Sequence, residues 1–502
     1  MNTFESKLKT LKESNKLELK KALTTFPNEA LSTYSAFANT DGGIIVLGIE
    51  ETKDGLKISG VQEPEKVKKE MFDSLNNAEK VNRNLINDRM VKEEIIDGKT
   101  IILIEVPRAN FKEKPIYLKK NLHNSYKRNF EGDYKCSEEE LKIMLRDQMD
   151  ENFDTYPIEN FSIDDFDERT IKSYRNRFNT LNEDHPFMSM DTIEFLMKIG
   201  ALKKNRSTEK IEPTLGGLLV FGKTESIKEA IPFIHFDYFD KSIISKERWN
   251  DRVVYDGTWG EGNLYNFFFT VIQKLYNLIE KNFKIADDNL SRIDHSDIHI
   301  AIREAFVNSI IHADFKIEEP LVVTKYPNYF QFENPGTLRV SKKQFFAGEH
   351  SKPRNNAIQE IFRHIKLCER AGTGIPKILK AVKENSLKYP DIEEKKDSVV
   401  FIFWDTSYIE SIENINETEK KILNLLLTNK TLSNKQIRES LNVTKYESIT
   451  ALNSLMEKAY IEKTGEGAGT KYIFKYSDDI KEYKILENIN DIFMSLKREI
   501  LK

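Results

Sequence analysis

The chain runs to 502 residues, 39% of them apolar and 31% charged. That is too long for one hydrophobic core and too apolar for a disordered or fibrous protein, so several soluble domains are expected. Its 77 lysines and arginines face 81 aspartates and glutamates, a net charge of −4, which argues against a histone-like binder and requires any nucleic-acid surface to be local. No stretch is apolar enough for a membrane span, and the N-terminus MNTFESKLKTLKESNK lacks the apolar centre of a secretory signal, so no membrane partner is expected. Cys136 and Cys368 form no CxxC pair, which leaves no disulfide framework or zinc finger and fits a reduced, cytoplasmic setting.

Residues 1–148 read as mixed α/β. An amphipathic helical start carrying Leu8, Leu11, Leu17 and Leu19 leads into a second helix through Ala30–Phe37. GGIIVLGIE (Gly42–Glu50) is apolar and β-branched between glycines, hence a buried strand. Ile95–Pro107 repeats the pattern with Asp97-Gly98 as its hairpin turn, and helix Glu138–Asp147 closes the block. Glu13 and Glu18 stand close to the strand that ends at Glu50. Acids on neighbouring elements can hold a divalent metal, magnesium or manganese, that activates water against a phosphodiester. The alternative is that Glu13 and Glu18 are helix-face charges paired with Lys12, Lys16 and Lys20. KEKPIYLKKNLHNSYKR (Lys112–Arg128) sets six cations against one acid. Lys119, Lys120, Lys127 and Arg128 could neutralise phosphates while Tyr126 stacks on a base, an interaction worth about 1–3 kcal/mol; a solvated lysine-rich hairpin is the other reading.

Residues 149–290 form a connection. Its first part, 149–185, is acidic and turn-rich and reads as a linker or a lightly packed segment; 186–290 reads as α/β, with GGLLVFG (Gly216–Gly222) as a buried strand. Gly217–Thr224 matches GxxxxGK[ST] letter for letter. Yet Leu218, Leu219, Val220 and Phe221 suit a strand rather than a cradle whose amides face phosphate. A genuine helicase is therefore not expected.

Residues 291–405 carry the best constellation. IHIAIREAFVNSIIHADF (Ile298–Phe315) is a helical pattern with Glu304 and Asn308 at i, i+4, so their side chains converge. A carboxylate beside a carboxamide suits magnesium and phosphate; taken alone, the pair also fits a solvated helix face. FENPGTL (Phe332–Leu338) and ERAGTGIPKIL (Glu369–Leu379) add glycines before apolar runs, where backbone can approach a ligand and helix-start amides favour phosphate. SKPRNNAI (Ser351–Ile358) supplies Arg354 and Asn355 between them.

Residues 416–476 read as helix–helix–helix–hairpin. Thr418 or Asn416 caps the first helix, Ser433 the second and Thr444 the third, with Ile449, Leu452 and Leu455 inward. Ile461–Thr464 and Lys471–Phe474 pair as a wing. The third helix would enter a major groove by its N-terminal end, offering Thr444, Lys445, Tyr446 and Ser448. The tail, 477–502, is helical by periodicity.

Two resemblances rest on these motifs. ExxxN, NPG, RNN and ERxGTG, in that order, resemble the ATP-binding domain of the GHKL superfamily in its divergent branch among helicase-labelled bacterial transcriptional regulators. The resemblance implies that Glu304 is the catalytic or water-orienting acid and Asn308 the magnesium ligand. It implies that Asn334 and Gly336 sit near the adenine, and that Arg354, Asn355, Glu369, Gly372 and Gly374 line the lid and phosphates. Asn334 replaces the acid usual before that glycine, which favours ATP binding over rapid turnover. ExxxxExK, FANTxGG, LGIE and PIY…SYKR resemble the Schlafen-type AlbA-like domain. Some members are RNA nucleases using three acids; Glu13 and Glu18 match the first two, with Glu50 or Asp54 as the third.

The expected fold is thus multidomain α/β and α+β: an AlbA-like N-terminal domain, a GHKL-like α/β sandwich and a C-terminal winged helix-turn-helix. The expected cofactors are ATP and magnesium or manganese, the partner DNA or RNA, and the assembly a homo-oligomer in which ATP gates the N-terminal domain. Two functions compete: a metal-dependent ribonuclease in defence against foreign genetic elements, and a non-catalytic, ATP-responsive transcriptional regulator.

Overall fold

The computed structural model describes residues 16–52, 55–96, 98–130, 132–149, 153–243, 248–254, 257–283, 297–348, 352–369, 372–429, 431–465 and 467–475. Glu13, Asp54 and the tail at 477–502 lie outside the described residues. The chain forms two compact units, one built on its N-terminal 151 residues and one on most of the remainder.

In the first unit, β1 (Leu17–Lys20), α1 (Ala30–Asn39), β2 (Gly43–Leu47), the hairpin β3 (Ile49–Thr52) and β4 (Gly55–Ile58), α2 (Pro64–Leu75), β5 (Val91–Ile96) and β6 (Lys99–Val106) follow one another. The main sheet has the order β1-β2-β6-β5, with β1 parallel to β2 and the other pairs antiparallel. Ile45, Leu47, Ile102 and Ile104 turn to a core containing Tyr34, Phe37 and Met71. Ile44, Val46, Ile101 and Leu103 turn the other way, to Leu17, Leu19 and Ile96. Covering both faces explains why the run has no polar alternation. The expected helix does not extend over Leu17–Lys20, which is a strand: Leu17 and Leu19 alternate with Glu18, and pairing with β2 decides the period. The hairpin β7 (Tyr126–Asn129) and β8 (Gly132–Lys135) and helix α3 (Glu138–Met149) complete the unit.

The second unit begins with α4 (Glu168–Leu181), α5 (Thr192–Lys198), the pair β9 (Leu202–Lys204) and β10 (Ile211–Pro213), then α6 (Leu215–Phe221) and α7 (Thr224–Ala230). The stretch expected to be a linker is folded. Thr170, Tyr174 and Phe178, four apart, bury one stripe of α4, Asp167 caps its N-terminus, and the Tyr174 hydroxyl donates to Ile361 O at 2.6 Å. Its acidity lies outside that stripe.

GGLLVFG is also corrected. Gly216–Phe221 lie in helix α6, buried throughout, with Thr214 capping the Gly217 amide. A Cβ at Gly217 would lie 2.1 Å from Ala201 O, so that glycine serves close packing. An apolar run buried on every side has no period by which to choose helix or strand. The amides are spent inside a helix, so no phosphate cradle forms.

Next come β11 (Phe236–Asp240), β12 (Asp251–Val254), α8 (Leu264–Phe283), α9 (Asp297–Ile311), β13 (Leu321–Tyr326), β14 (Tyr329–Pro335), α10 (Lys342–Ala347), α11 (Asn356–His364), α12 (Gly374–Glu384), β15 (Asp391–Glu394) and β16 (Ser398–Trp404). One six-stranded sheet has the order β12-β11-β13-β14-β16-β15, antiparallel except for β11 beside β13. It therefore takes two strands from the segment read as a connection. Helix α9 sits on this sheet through Phe306, which stacks on Phe268 of α8 at 5.0 Å and lies 6.1 Å from Phe332 of β14.

Last are α13 (Glu417–Thr428), α14 (Asn434–Leu441), α15 (Lys445–Glu457), β17 (Ile461–Thr464) and β18 (Lys471–Phe474). Asn416, Ser433 and Thr444 each close a capping box, with Glu419, Gln436 and Glu447. Leu432 bridges Tyr472, adding to the β17–β18 pair. The core holds Ile422, Leu426, Ile437, Leu452 and Leu455. Two inward and outward assignments reverse: Ile449 is exposed and Ser448 buried.

Candidate nucleotide site and nucleic-acid surfaces

Helix α9 presents Glu304 and Asn308 to the start of α12. A Cβ at Gly374 would lie 3.1 Å from Asn308 Nδ2 and 3.1 Å from Glu304 Oε2. An acid and an amide one turn apart thus meet a helix N-terminus whose N-cap, Thr373, makes no side-chain capping bond. That is a place where amides and dipole favour an anion. Glu304 is buried, and Lys377 Nζ reaches its Oε1 at 3.3 Å and Glu369 Oε1 at 3.0 Å. Burial disfavours the Lys377 ammonium, but the hydrogen bond to Glu369 and the charge of Glu304 outweigh it and hold its pKa above the ordinary lysine value. The Lys377 bond, with one from Thr373, lowers the pKa of Glu369. Sequence reasoning missed Lys377. The available signal was a lysine in the first turn of α12, where the helix dipole disfavours a cation unless an anion comes there.

The other glycine turn meets the far end of α9. Gly336 has φ +109°, outside the range comfortable for side chains, and a Cβ there would lie 3.0 Å from Asp314 Cβ and 3.2 Å from Arg354 Nε. Pro335 O accepts from Asp314 N at 2.8 Å, and the Asn334 carboxamide is buried against Pro335 O. Arg354 and Asn355 are turned inward rather than into a lid. Arg354 Nη2 donates to Thr337 O at 3.0 Å, with Asp314 Oδ2 3.7 Å from Nη1. Asn355 Nδ2 donates to Ile310 O at 3.1 Å and Ala313 O at 2.8 Å. Both residues brace the turn against α9. Gly372 has φ +66° ahead of α12; Arg370 and Ala371 lie outside the described residues.

For a magnesium ion the donor types fit, an amide oxygen and a carboxylate one turn apart, and the remaining positions would fall to phosphate oxygens and waters. Among the described residues no group of three or more His, Cys, Asp or Glu could hold a metal.

That bears on the N-terminal acids. Glu18 is buried on β1, paired with Arg128 Nη2 at 2.7 Å and Lys20 Nζ at 2.5 Å. Glu50 faces Lys21 at 3.2 Å and Lys57 at 3.8 Å. Each acid is matched by cations, Glu18 by Lys20 and by Arg128 of β7, Glu50 by Lys21 and by Lys57 of β4, and the described residues assemble no three-acid centre. Arg128, expected on the nucleic-acid surface, has a side chain 1% exposed. Its guanidinium lies 5.1 Å from the Phe37 ring and also binds Asp133 at 2.8 Å. Burial opposes the charge, yet the bonds to Asp133 and Glu18 raise its pKa. Lys127 pairs with Glu140 and Lys120 with Glu79, while Tyr126 packs against the core. Lys119 is exposed. The FANT and SYKR motifs therefore close a fold: Asn39 Nδ2 donates to Ile116 O at 2.8 Å and Tyr126 O at 2.9 Å, and its Oδ1 accepts from Ile116 N at 2.8 Å. On α15, Lys445 is exposed and Tyr446 is 81% exposed at the N-terminal end.

Comparison with known proteins matches residues 13–137 to the family described as "Schlafen, AlbA_2", and residues 319–403 to "Putative ATP-dependent DNA helicase recG C-terminal". Residues 142–237 match a domain of unknown function. The recG-type match begins after α9, so Glu304 and Asn308 lie outside it. The fold and these matches define a multidomain α/β protein that carries a Schlafen AlbA_2 domain and a recG C-terminal-like ATPase-type domain. Among solved structures it resembles the DIP2311 protein from Corynebacterium diphtheriae, at 15% identity and TM-score 0.40, over 92% of this chain and 95% of that one. It also resembles the N-terminal domain of a "Putative ATP-dependent DNA Helicase RecG-related Protein" from Nitrosomonas europaea, at 26% identity and TM-score 0.21, over 27% of this chain and 95% of that one. No curated protein matches the chain. No described helix is long and apolar enough to cross a membrane.

Proposed function

We propose that this chain is an ATP-binding, nucleic-acid-binding regulator in which nucleotide occupancy between α9 and α12 governs contact with DNA or RNA. The observation that carries the reading is the meeting of Glu304 and Asn308 with Gly374 at the open N-terminus of α12. The α12 amides receive phosphate, Asn308 orients it, and Lys377, already between two carboxylates, shares its charge with it. A magnesium or manganese ion held by Asn308 and Glu304 would neutralise the triphosphate. Gly336 lets backbone approach the base. Glu304, bound by Lys377, orients rather than activates water, which supports sensing over fast turnover.

Nucleic acid is met by the winged-helix arrangement through Lys445 and Tyr446, and by the Schlafen-like domain through Lys119 and its exposed neighbours. A homo-oligomer closed by nucleotide belongs to the same reading. The ribonuclease reading requires Glu18 free to hold a metal; its pairing with Arg128 and Lys20 supports a non-catalytic N-terminal domain instead.

Calorimetry with magnesium and ATP tests the site: Asn308→Ala should weaken binding tenfold or more, and unchanged affinity would refute it. Incubation with magnesium or manganese, ATP and total RNA tests the rest. Cleavage by the wild type that disappears in Glu18→Ala would overturn the regulator reading.

A further inference from the structure

We infer that a second site, separate from the nucleotide site, binds single-stranded nucleic acid in the cleft between α4, α7, α8 and the loop at 257–262. The cleft is a cavity of about 1390 Å³. That exceeds the roughly 300–1,000 Å³ typical of small-molecule pockets and suits a few nucleotides of a polymer.

Its lining brings cations and rings together. Arg169, Arg177, Lys223, Lys228 and Lys274 face it, against Asp167, Glu225 and Glu261. Two of those acids are already committed to helix starts. Asp167 accepts from the Arg169 and Thr170 amides of α4, and Glu261 Oε2 accepts from the Thr224 amide and hydroxyl of α7, each at 2.7 Å. Lys274 is itself paired with Asp251 at 2.6 Å, and the other four cations still outnumber the three acids. Lys223 and Thr224 are the last letters of the GxxxxGK[ST] match. The helix that cancels the phosphate loop delivers its lysine to this cleft instead.

Trp259 stands on the loop between Gly257 and Gly260, both at positive φ, and is 52% exposed. Its half-exposed indole offers a flat face on which a partner ring would stack. Arg177 lies 4.0 Å from the Phe269 ring centroid, and Lys274 4.9 Å from that of Trp259. A cation beside the exposed Trp259 ring lets a phosphate and an unstacked base bind together, and any base offers a face to stack. A duplex keeps its bases stacked inside, so the ring selects a single strand.

The chain holds three tryptophans. The full chain carrying Trp249→Phe and Trp404→Phe keeps Trp259 as sole reporter. Oligothymidylate at low salt should quench its emission, and added salt should reverse the quench as counterions compete. Lys223→Ala with Arg177→Ala should weaken the binding tenfold or more. If the reporter chain does not fold, anisotropy of labelled oligothymidylate with Trp259→Ala replaces it, and a tenfold loss is expected again. Binding of the oligonucleotide with no change at Trp259, or no binding at all, overturns the proposal. So does equal quenching by polyglutamate, which would make the cleft a site for acidic peptides.

Discussion

Gly374→Ala separates nucleotide binding from folding. Gly374 does not occupy the left-handed region, so alanine fits the backbone. Alanine is the better helix former, by up to about 1 kcal/mol in a helix interior and less at a first turn. Against this, the new methyl would lie 3.1 Å from both Asn308 Nδ2 and Glu304 Oε2, where carbon contacts relax at about 3.5–4.0 Å. The two side chains must give by a few tenths of an ångström, and the two effects nearly cancel in stability. They do not cancel in binding. The methyl pushes Glu304 and Asn308 away from the start of α12 and so displaces the groups proposed to hold the phosphate. A loss of tenfold or more in ATP affinity is expected, about 1.4 kcal/mol. Titration calorimetry with magnesium and ATP reads the affinity, and thermal denaturation of the nucleotide-free protein reads the fold. An affinity within twofold of wild type, at unchanged melting temperature, would show that no phosphate sits there.

Arg128→Ala removes the cation shared by the buried Glu18 and the half-buried Asp133. Lys20 stays beside Glu18, so a loss somewhat below the roughly 3–5 kcal/mol of a fully unpaired buried charge is expected in a denaturant titration. A variant as stable as wild type but weaker on nucleic acid would return Arg128 to the surface. Asp154 is buried, and desolvation, only partly offset by the Ile358 amide and its neighbours, raises its pKa from 3.8 to about 6. A carboxyl raised on folding contributes stability that is complete below its ordinary value and lost as pH climbs through about 6. The loss is about 3 kcal/mol at roughly 1.4 per unit. Asp154→Asn should therefore gain on wild type between pH 4 and 7 in thermal melts; parallel profiles would contradict the burial argument. Gly217→Ala places a methyl 2.1 Å from Ala201 O, so a loss of stability of about 1–3 kcal/mol or more is expected, with ATP affinity unchanged. Loss of ATP affinity at full stability would revive the phosphate loop.

What the sequence determined by itself was whatever rests on neighbours within about one helical turn. Glu304 and Asn308 share a face because they are four apart, and Asn416, Ser433 and Thr444 cap their helices through residues three further on. The glycine turns after β14 and before α12 were legible too, since their motifs name positions where backbone conformation or room is demanded. Tertiary structure alone decided the rest. Glu18 meets Arg128 across 110 positions, so neither residue type nor local spacing could say that an apparent metal ligand and an apparent phosphate contact neutralise each other. GGLLVFG became a helix, and Leu17–Lys20 a strand, through what packs beside them. The Lys223 presented to the cleft depends on that same helix. Spacing sets which side chains share a face; burial, and hence the fate of a charge or of an apolar run, is set by chain segments far away in sequence.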